Sequence, residues 1–278
     1  MQKLKRNRAI WDSVNELKLV IGDSAYAEVD TEWQCSNIFS PFNRLYLVES
    51  GEAILFCGQE TVVMKPGMAY LIPARTTFSY RCDGSMTKLF FHFNLLKPDH
   101  YDLFQSIDRI LIQPLPPELL TQIIHHFFRS TYADGIALQE QIYRLLYSFT
   151  ANCHLAQEVL PSYSRYVAET IRYILENLSA GLQVESLAQR LFISKSYLEK
   201  CFRREVGVSV GRYIDDQLMI AAQHMLDQTN DKVSDIAQTL GYTDPYYFSR
   251  RFKQLCGIEP LRYRRCLRLQ FQRPQKKQ

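Results

Sequence analysis

The side chains best suited to chemistry in this 278-residue chain stand in two short stretches near its C-terminal end. The first, "GYTDPYYFSRRFKQLCG" (241–257), sets Tyr246, Ser249, Arg250 and Lys253 at helical spacing behind an Asp-Pro step. The second, "LFISKSYLEKCFRREVG" (191–207), offers Ser196, Glu199, Lys200 and Arg203 in the same rhythm. Arginine can fork onto guanine O6 and N7, while lysine and hydroxyl groups bond phosphates or base edges. Neither stretch pairs a nucleophile with a base, so the chemistry on offer is recognition of a polyanion rather than bond breaking.

These residues need an element to hold them. The two stretches belong to an internal repeat: "ESLAQRL" (185–191) matches "SDIAQTL" (234–240) at an offset of 49, and Ser194, Leu198, Phe202, Gly207 and Tyr213 match Asp244, Phe248, Phe252, Gly257 and Tyr263 at 50. Each unit predicts helix, tight turn, helix. Ser194 and Asp244 are good N-caps, Pro245 suits the first helical position, and Gly207 and Gly257 suit a left-handed stop. At about 100° per residue, Phe248, Phe252 and Leu255 share one side, with Tyr246, Ser249, Arg250 and Lys253 opposite. In the first unit Leu198, Cys201 and Phe202 turn inward. Between the copies, "SVGRYIDDQLMIAAQHMLDQ" (209–228) predicts one helix, a rod of about 26 Å that could hold two recognition helices near one DNA turn, about 34 Å, apart. The competing reading of each unit is a plain α-hairpin with a solvated outer face.

Charge and composition narrow the choice. From residue 162 onward 19 Lys/Arg stand against 12 Asp/Glu, and upstream 14 against 17, so the basic excess is confined to the part carrying the repeat. The seven cysteines are odd in number, widely spaced and without a CxxC pair, which argues against a disulfide framework or a zinc site and for a reducing compartment. The first residues lack the apolar core of a signal peptide, and no apolar run approaches the roughly 18 residues of a membrane span. A cytoplasmic protein is expected.

The segment 164–266 resembles the DNA-binding domain of the AraC/XylS family of bacterial transcription regulators. The resemblance lies in "IAQTLGYTDPYYFSRRFKQLCGIEPLRYRR", with its IA, GY, aromatic pair before SR, FK, Gly and Pro-x-x-Tyr-Arg in the family's order. It implies base contacts from Ser196, Glu199, Lys200, Tyr246, Ser249 and Arg250, with Arg203 and Lys253 on the same faces. Gln217 stands where the family's connecting helix usually carries Arg, and Glu259 where a Ser or Thr cap is common.

The first hundred residues read as β. "RLYLVES" (44–50), "AILFC" (53–57), "ETVVM" (60–64), "AYLIP" (69–73) and "TKLFFHFNLL" (87–96) are short β-branched or aromatic runs punctuated by Gly51, Gly58, Pro66-Gly67 and Asp83-Gly84. "YLVESGEAILFCGQETVVMKPGMAYLIPARTTFSY" resembles the cupin-like effector domain often joined to this type of DNA-binding domain. Arg44 and Phe78 fall where an enzymatic cupin would carry metal ligands, and no HxH is present, so no metal, cofactor or catalytic residue is expected. Arg44 with Tyr46, and His92 with Asn94, share strand faces and are the candidate effector-binding residues. The alternative is an external face, or a satisfied buried histidine. After Pro98, "PPELLTQIIHHFFRSTY" and "ALQEQIYRLLYSFTANCHL" predict two amphipathic helices.

The expected architecture is α+β multidomain. Residues 1–98 form an all-β cupin-like barrel, 99–160 a helical dimerisation and linker region, and 161–278 an all-α domain. That domain would hold helix-turn-helix motifs near 184–207 and 233–257, a connecting helix at 209–228, and a C-terminal helix and tail at 260–278. The resemblance implies a sequence-specific transcription regulator responding to a small molecule, an activator of a carbohydrate-type operon and not an enzyme. Its implied partners are double-stranded operator or promoter DNA, a small-molecule effector such as a sugar, a second copy of the chain and RNA polymerase. A cupin enzyme, metal-dependent or not, fused to a DNA-binding module is the alternative.

Overall fold

The computed structural model describes residues 17–153 and 163–268, together with 10, 14, 15 and 155. The chain divides into two compact units that meet between Leu160 and Pro161. The expected boundary at 160 and the tail beyond 268 lie outside the described residues.

The first unit holds nine strands: β1 (Lys18–Val29), β2 (Gln34–Ile38), β3 (Asn43–Gly51), β4 (Ala53–Cys57), β5 (Glu60–Met64), β6 (Met68–Ile72), β7 (Phe78–Arg81), β8 (Met86–Leu96) and β9 (Leu111–Pro114). They form a five-stranded sheet, β1-β8-β3-β6-β9, and a four-stranded sheet, β2-β7-β4-β5. Among the described residues no ladder joins the two, so the expected barrel is an open sandwich. Two helices follow, α1 (Pro117–Phe127) and α2 (Tyr132–Ala151). Pro117 opens α1 at a position where its missing N–H costs nothing, and the Thr131 side chain caps α2 by accepting from the Asp134 N–H.

The larger sheet is buried on both faces, which explains why "KLFFHFNLL" in β8 is almost continuously apolar. Leu45, Leu47, Leu89, Phe91, Phe93 and Leu95 face a core completed by Ile123, Ile142, Leu145 and Phe149 of the helices. Tyr46, Val48, Tyr70, Ile72 and Phe90 face the second core, against Leu55, Phe78 and Tyr80 of the smaller sheet. The three layers are thus sheet, sheet and helices. One expectation is corrected: residues 99–116 are not a linker. Phe104 and Ile107 enter the helix-side core and β9 pairs with β6, so burial continues well past Pro98.

The second unit is helical: α3 (Arg165–Glu176), α4 (Val184–Arg190), α5 (Lys195–Val206), α6 (Val210–Gln228), α7 (Val233–Thr239), α8 (Pro245–Cys256) and α9 (Pro260–Arg268). The 19 residues of α6 make a rod of about 28 Å. It packs against α5 on one side of the repeat and α7, α8 and α9 on the other. Its ends repeat one piece of packing. The Phe202 ring meets Tyr213 edge-on at 5.3 Å and Phe252 meets Tyr263 edge-on at 5.6 Å, as the sequence repeat requires. Both phenylalanines are fully buried, and truncating either to alanine would cost about 3–5 kcal/mol.

Candidate nucleic-acid interface

The outward face of α5 and α8 is set by their caps. Ser194 Oγ accepts from the Tyr197 N–H at 3.2 Å, and Asp244 Oδ1 accepts from the Tyr246 N–H at 2.8 Å. At the other ends Gly207 (φ 89°) and Gly257 (φ 76°) close both helices in the left-handed conformation. Between the caps, Leu198, Cys201 and Phe202 are buried in the first copy, and Phe248, Phe252 and Cys256 in the second. Leu255, expected inward, is only half-buried, because Cys256 takes the last inward position.

The eight candidate DNA-contacting residues divide into two groups. Ser196, Lys200 and Arg203 are exposed on α5, and their repeat equivalents Tyr246, Arg250 and Lys253 are exposed on α8. Tyr246 is 79% exposed. Arg250 stands 3.9 Å from Asp244 and Lys253 is paired with Glu259 at 2.8 Å, both in contact with solvent. Such exposed pairs are weak and screened, so either cation is available to a polyanion.

Glu199 and Ser249, equivalent to one another, behave differently. Glu199 Oε2 accepts from the Val210 N–H, the first of α6, at 3.3 Å, and Ser249 Oγ donates to the Pro245 carbonyl at 2.9 Å. Both are half-buried and turned to backbone. A carboxylate at a helix N-terminus is well placed against its orphan N–H groups, and the position also keeps a negative charge off the basic face. The wheel missed this because the partner lies in the next helix. Other side chains brace the interface. Arg251 is hydrogen-bonded to Asp215 of α6, Lys195 is paired with Glu185 of α4, and Ser164 N–H donates to Glu205 at 2.7 Å. Gln217, in place of the family's usual Arg, is buried inside α6's packing face, where a fixed charge would go unsolvated.

The four candidate effector residues lie in the β unit and are all buried. Arg44, Tyr46 and His92 sit together between the sheets. Arg44 pairs with His92 across the β3–β8 ladder, their side chains 3.1 Å apart (Nη1 to Nε2), and Arg44 Nη2 donates to Ser40 Oγ at 2.7 Å. Burial, then the Arg44 and Lys88 charges, hold the His92 imidazole well below its usual range. Asn94 is apart from them. Its Nδ2 donates to the Pro41 carbonyl at 2.9 Å and to Asp102 Oδ2 at 3.0 Å, and Asn43 donates to the same carboxylate at 2.7 Å. Burial pushes Asp102 up to about 6 against the pull of four N–H donors. This network ties β3 and β8 to the loop after β8, so Asn94 is a structural residue. Lys88 was not anticipated. It is buried between the sheets, with Nζ 3.4 Å from the Trp33 ring centroid and 4.2 Å from that of Tyr46.

Two capped helices, each backed by a short helix and joined by a rigid rod, with cations and hydroxyls facing outward, define a tandem helix-turn-helix DNA-binding protein. The family described as Helix-turn-helix domain matches residues 187–266. The C-terminal unit of this chain belongs to the AraC/XylS family of transcription regulators. It is similar to the HTH-type transcriptional regulator YisR of Bacillus subtilis, 36% identical over 115 residues, which is 40% of each chain. The chain therefore spans about two-fifths of that relative's length. The Msm operon regulatory protein of Streptococcus mutans is 23% identical over 231 residues, 80% of this chain and 83% of its own. Regulators of arabinose, raffinose and lactose operons are further relatives. In fold, the chain is similar to ToxT from Vibrio cholerae, with a TM-score of 0.53 at 14% identity over 88% of this chain and 98% of that one. These relatives are regulators and not enzymes, which removes the cupin-enzyme alternative.

Proposed function

We propose that this chain is an effector-responsive transcription regulator of a carbohydrate operon. In this reading the β unit senses a small molecule, and α5 and α8 enter successive major grooves of operator DNA. The observation that carries it is the agreement of the two copies. Ser196, Lys200 and Arg203 are exposed at the same positions as Tyr246, Arg250 and Lys253, on helices capped alike. A solvated face has no reason to repeat in this way, whereas one duplex read twice does. Such a protein works where the chromosome is, in the cytoplasm, and as an activator it would also touch RNA polymerase. Footprinting on the genomic fragments it retains tests the reading.

The second part of the proposal is a homodimer formed through α2. Tyr132, Ile136 and Tyr147 are 96%, 69% and 73% exposed. With half-buried Tyr143 they fall within about 60° on the helical wheel, opposite the Ile142, Leu145 and Phe149 face that packs on the sheet. A stripe of this kind along one helix is a surface for a second copy, related by a two-fold axis.

A further inference from the structure

The interior of the β unit carries positive charge that the fold itself does not balance. Lys88 is 2% exposed and lies on β8, where strand alternation puts it on the same face as Phe90 and His92, opposite Arg44 and Tyr46 of β3. Its ammonium sits against the rings of Trp33, Tyr46 and Phe90, at 3.4, 4.2 and 5.9 Å from their centroids. No ion pair to Lys88 exists among the described residues. The carboxylate associated with this cluster is Asp23, 3.9 Å from His92 Nδ1 and 40% exposed at its edge.

An ammonium withdrawn from water without a carboxylate costs several kcal/mol. Contacts with aromatic faces return about 2 kcal/mol each when desolvated. The arrangement remains electrostatically incomplete, and burial together with the Arg44 charge holds Lys88 well below its usual range. A negative charge delivered between the sheets would complete it. A route for such a group is present. A cleft of about 510 Å³ opens along Phe56, Arg75, Thr76, Phe78 and Asp108. The Arg44 guanidinium lies 5.5 Å from the ring of Phe78, so cleft and cluster share that wall.

We infer that the effector of the β unit carries an anionic group, a carboxylate or a phosphate on a sugar-sized body, and that this group seats between Lys88 and Arg44 with its body against Trp33 and Tyr46. The inference rests on the reading of the β unit as a sensor and names the chemical class it senses. Neutral sugars satisfy the aromatic surface and leave the ammonium bare, whereas a sugar acid satisfies both.

Calorimetric titration and thermal unfolding of the full chain test this, with inorganic phosphate, glucuronate, glucose 6-phosphate and glucose as probes and with Lys88→Met and Lys88→Gln as variants. The wild-type chain should bind at least one of the three anions saturably, and both variants should bind it at least tenfold more weakly. Glucose should bind no more tightly to wild type than to the variants. Without ligand, the variants should unfold at or above the wild-type temperature, since an uncompensated charge has been removed. Anion uptake by the basic helices of the second unit is common to all three proteins and drops out of the comparison. Equal anion affinity in wild type and variants overturns the inference, as does failure of all three anions to bind, or variants that are less stable without ligand. Glucose bound equally by all three proteins would overturn the anionic class while leaving the sensor reading intact.

Discussion

Six of the eight candidate DNA-contacting residues stand free on the outer faces, while Glu199 and Ser249 are committed to backbone. That division predicts different phenotypes. Arg250, in the second turn of α8 and opposite the Phe248/Phe252 core, can reach a base. Its replacement by alanine should cost about 1–3 kcal/mol on the true operator and relax preference at one base pair. Lys253, one turn further along, should meet phosphate, so Lys253→Ala should weaken operator and scrambled duplexes alike and lower the salt slope by about one. Glu199→Gln, which loses a charged cap, should reduce stability by about 1 kcal/mol and leave base preference unchanged. Binding of the three variants to both duplexes across a salt series, with unfolding curves, separates these outcomes. A shift in base preference with Glu199→Gln, or equal losses on both duplexes with Arg250→Ala, would contradict the assignment.

At the scale of elements, what was legible in the sequence is what short-range chemistry decides. Ser194 and Asp244 cap, Gly207 and Gly257 stop, and the rod between the copies runs within a residue of its expected bounds. β4 and β5 begin and end where their apolar runs do. The strand β1 was not marked, because at the sheet edge "KLVIGDSAYAEV" is mostly exposed or half-buried and has no clean alternation. Lys88 was missed although it shares the alternation of His92, since a lysine in a strand ordinarily reads as a solvent-facing residue. One turn breaks the repeat in a testable way. Phe192 holds φ 55° and is 95% exposed, where the second copy has Gly241 at φ 79°. A left-handed non-glycine residue costs about 1–2 kcal/mol, and this ring gains nothing by burial. Phe192→Gly should therefore raise the midpoint of thermal unfolding, by up to about 1 kcal/mol after the added freedom of the unfolded chain is counted. A lower midpoint would mean that the phenyl ring is held by a contact.

For the whole molecule, the account joins a sensor, a dimer surface and a DNA reader in one chain. The dimer follows from the α2 stripe: Ile136→Asp should convert a dimer to a monomer in sedimentation equilibrium, with the circular dichroism spectrum unchanged. An unaltered mass would place the interface elsewhere. The central claim is that α5 and α8 of one chain read one duplex twice, and hydroxyl-radical footprinting of the full chain on a retained genomic fragment tests it most directly. The expected result is two protected tracts per chain, centred about one helical turn apart. Ser196, Lys200 and Arg203 changed together to alanine should remove one tract, and Tyr246, Arg250 and Lys253 changed together the other. Both tracts surviving in either triple variant, or diffuse protection without discrete tracts, would contradict it.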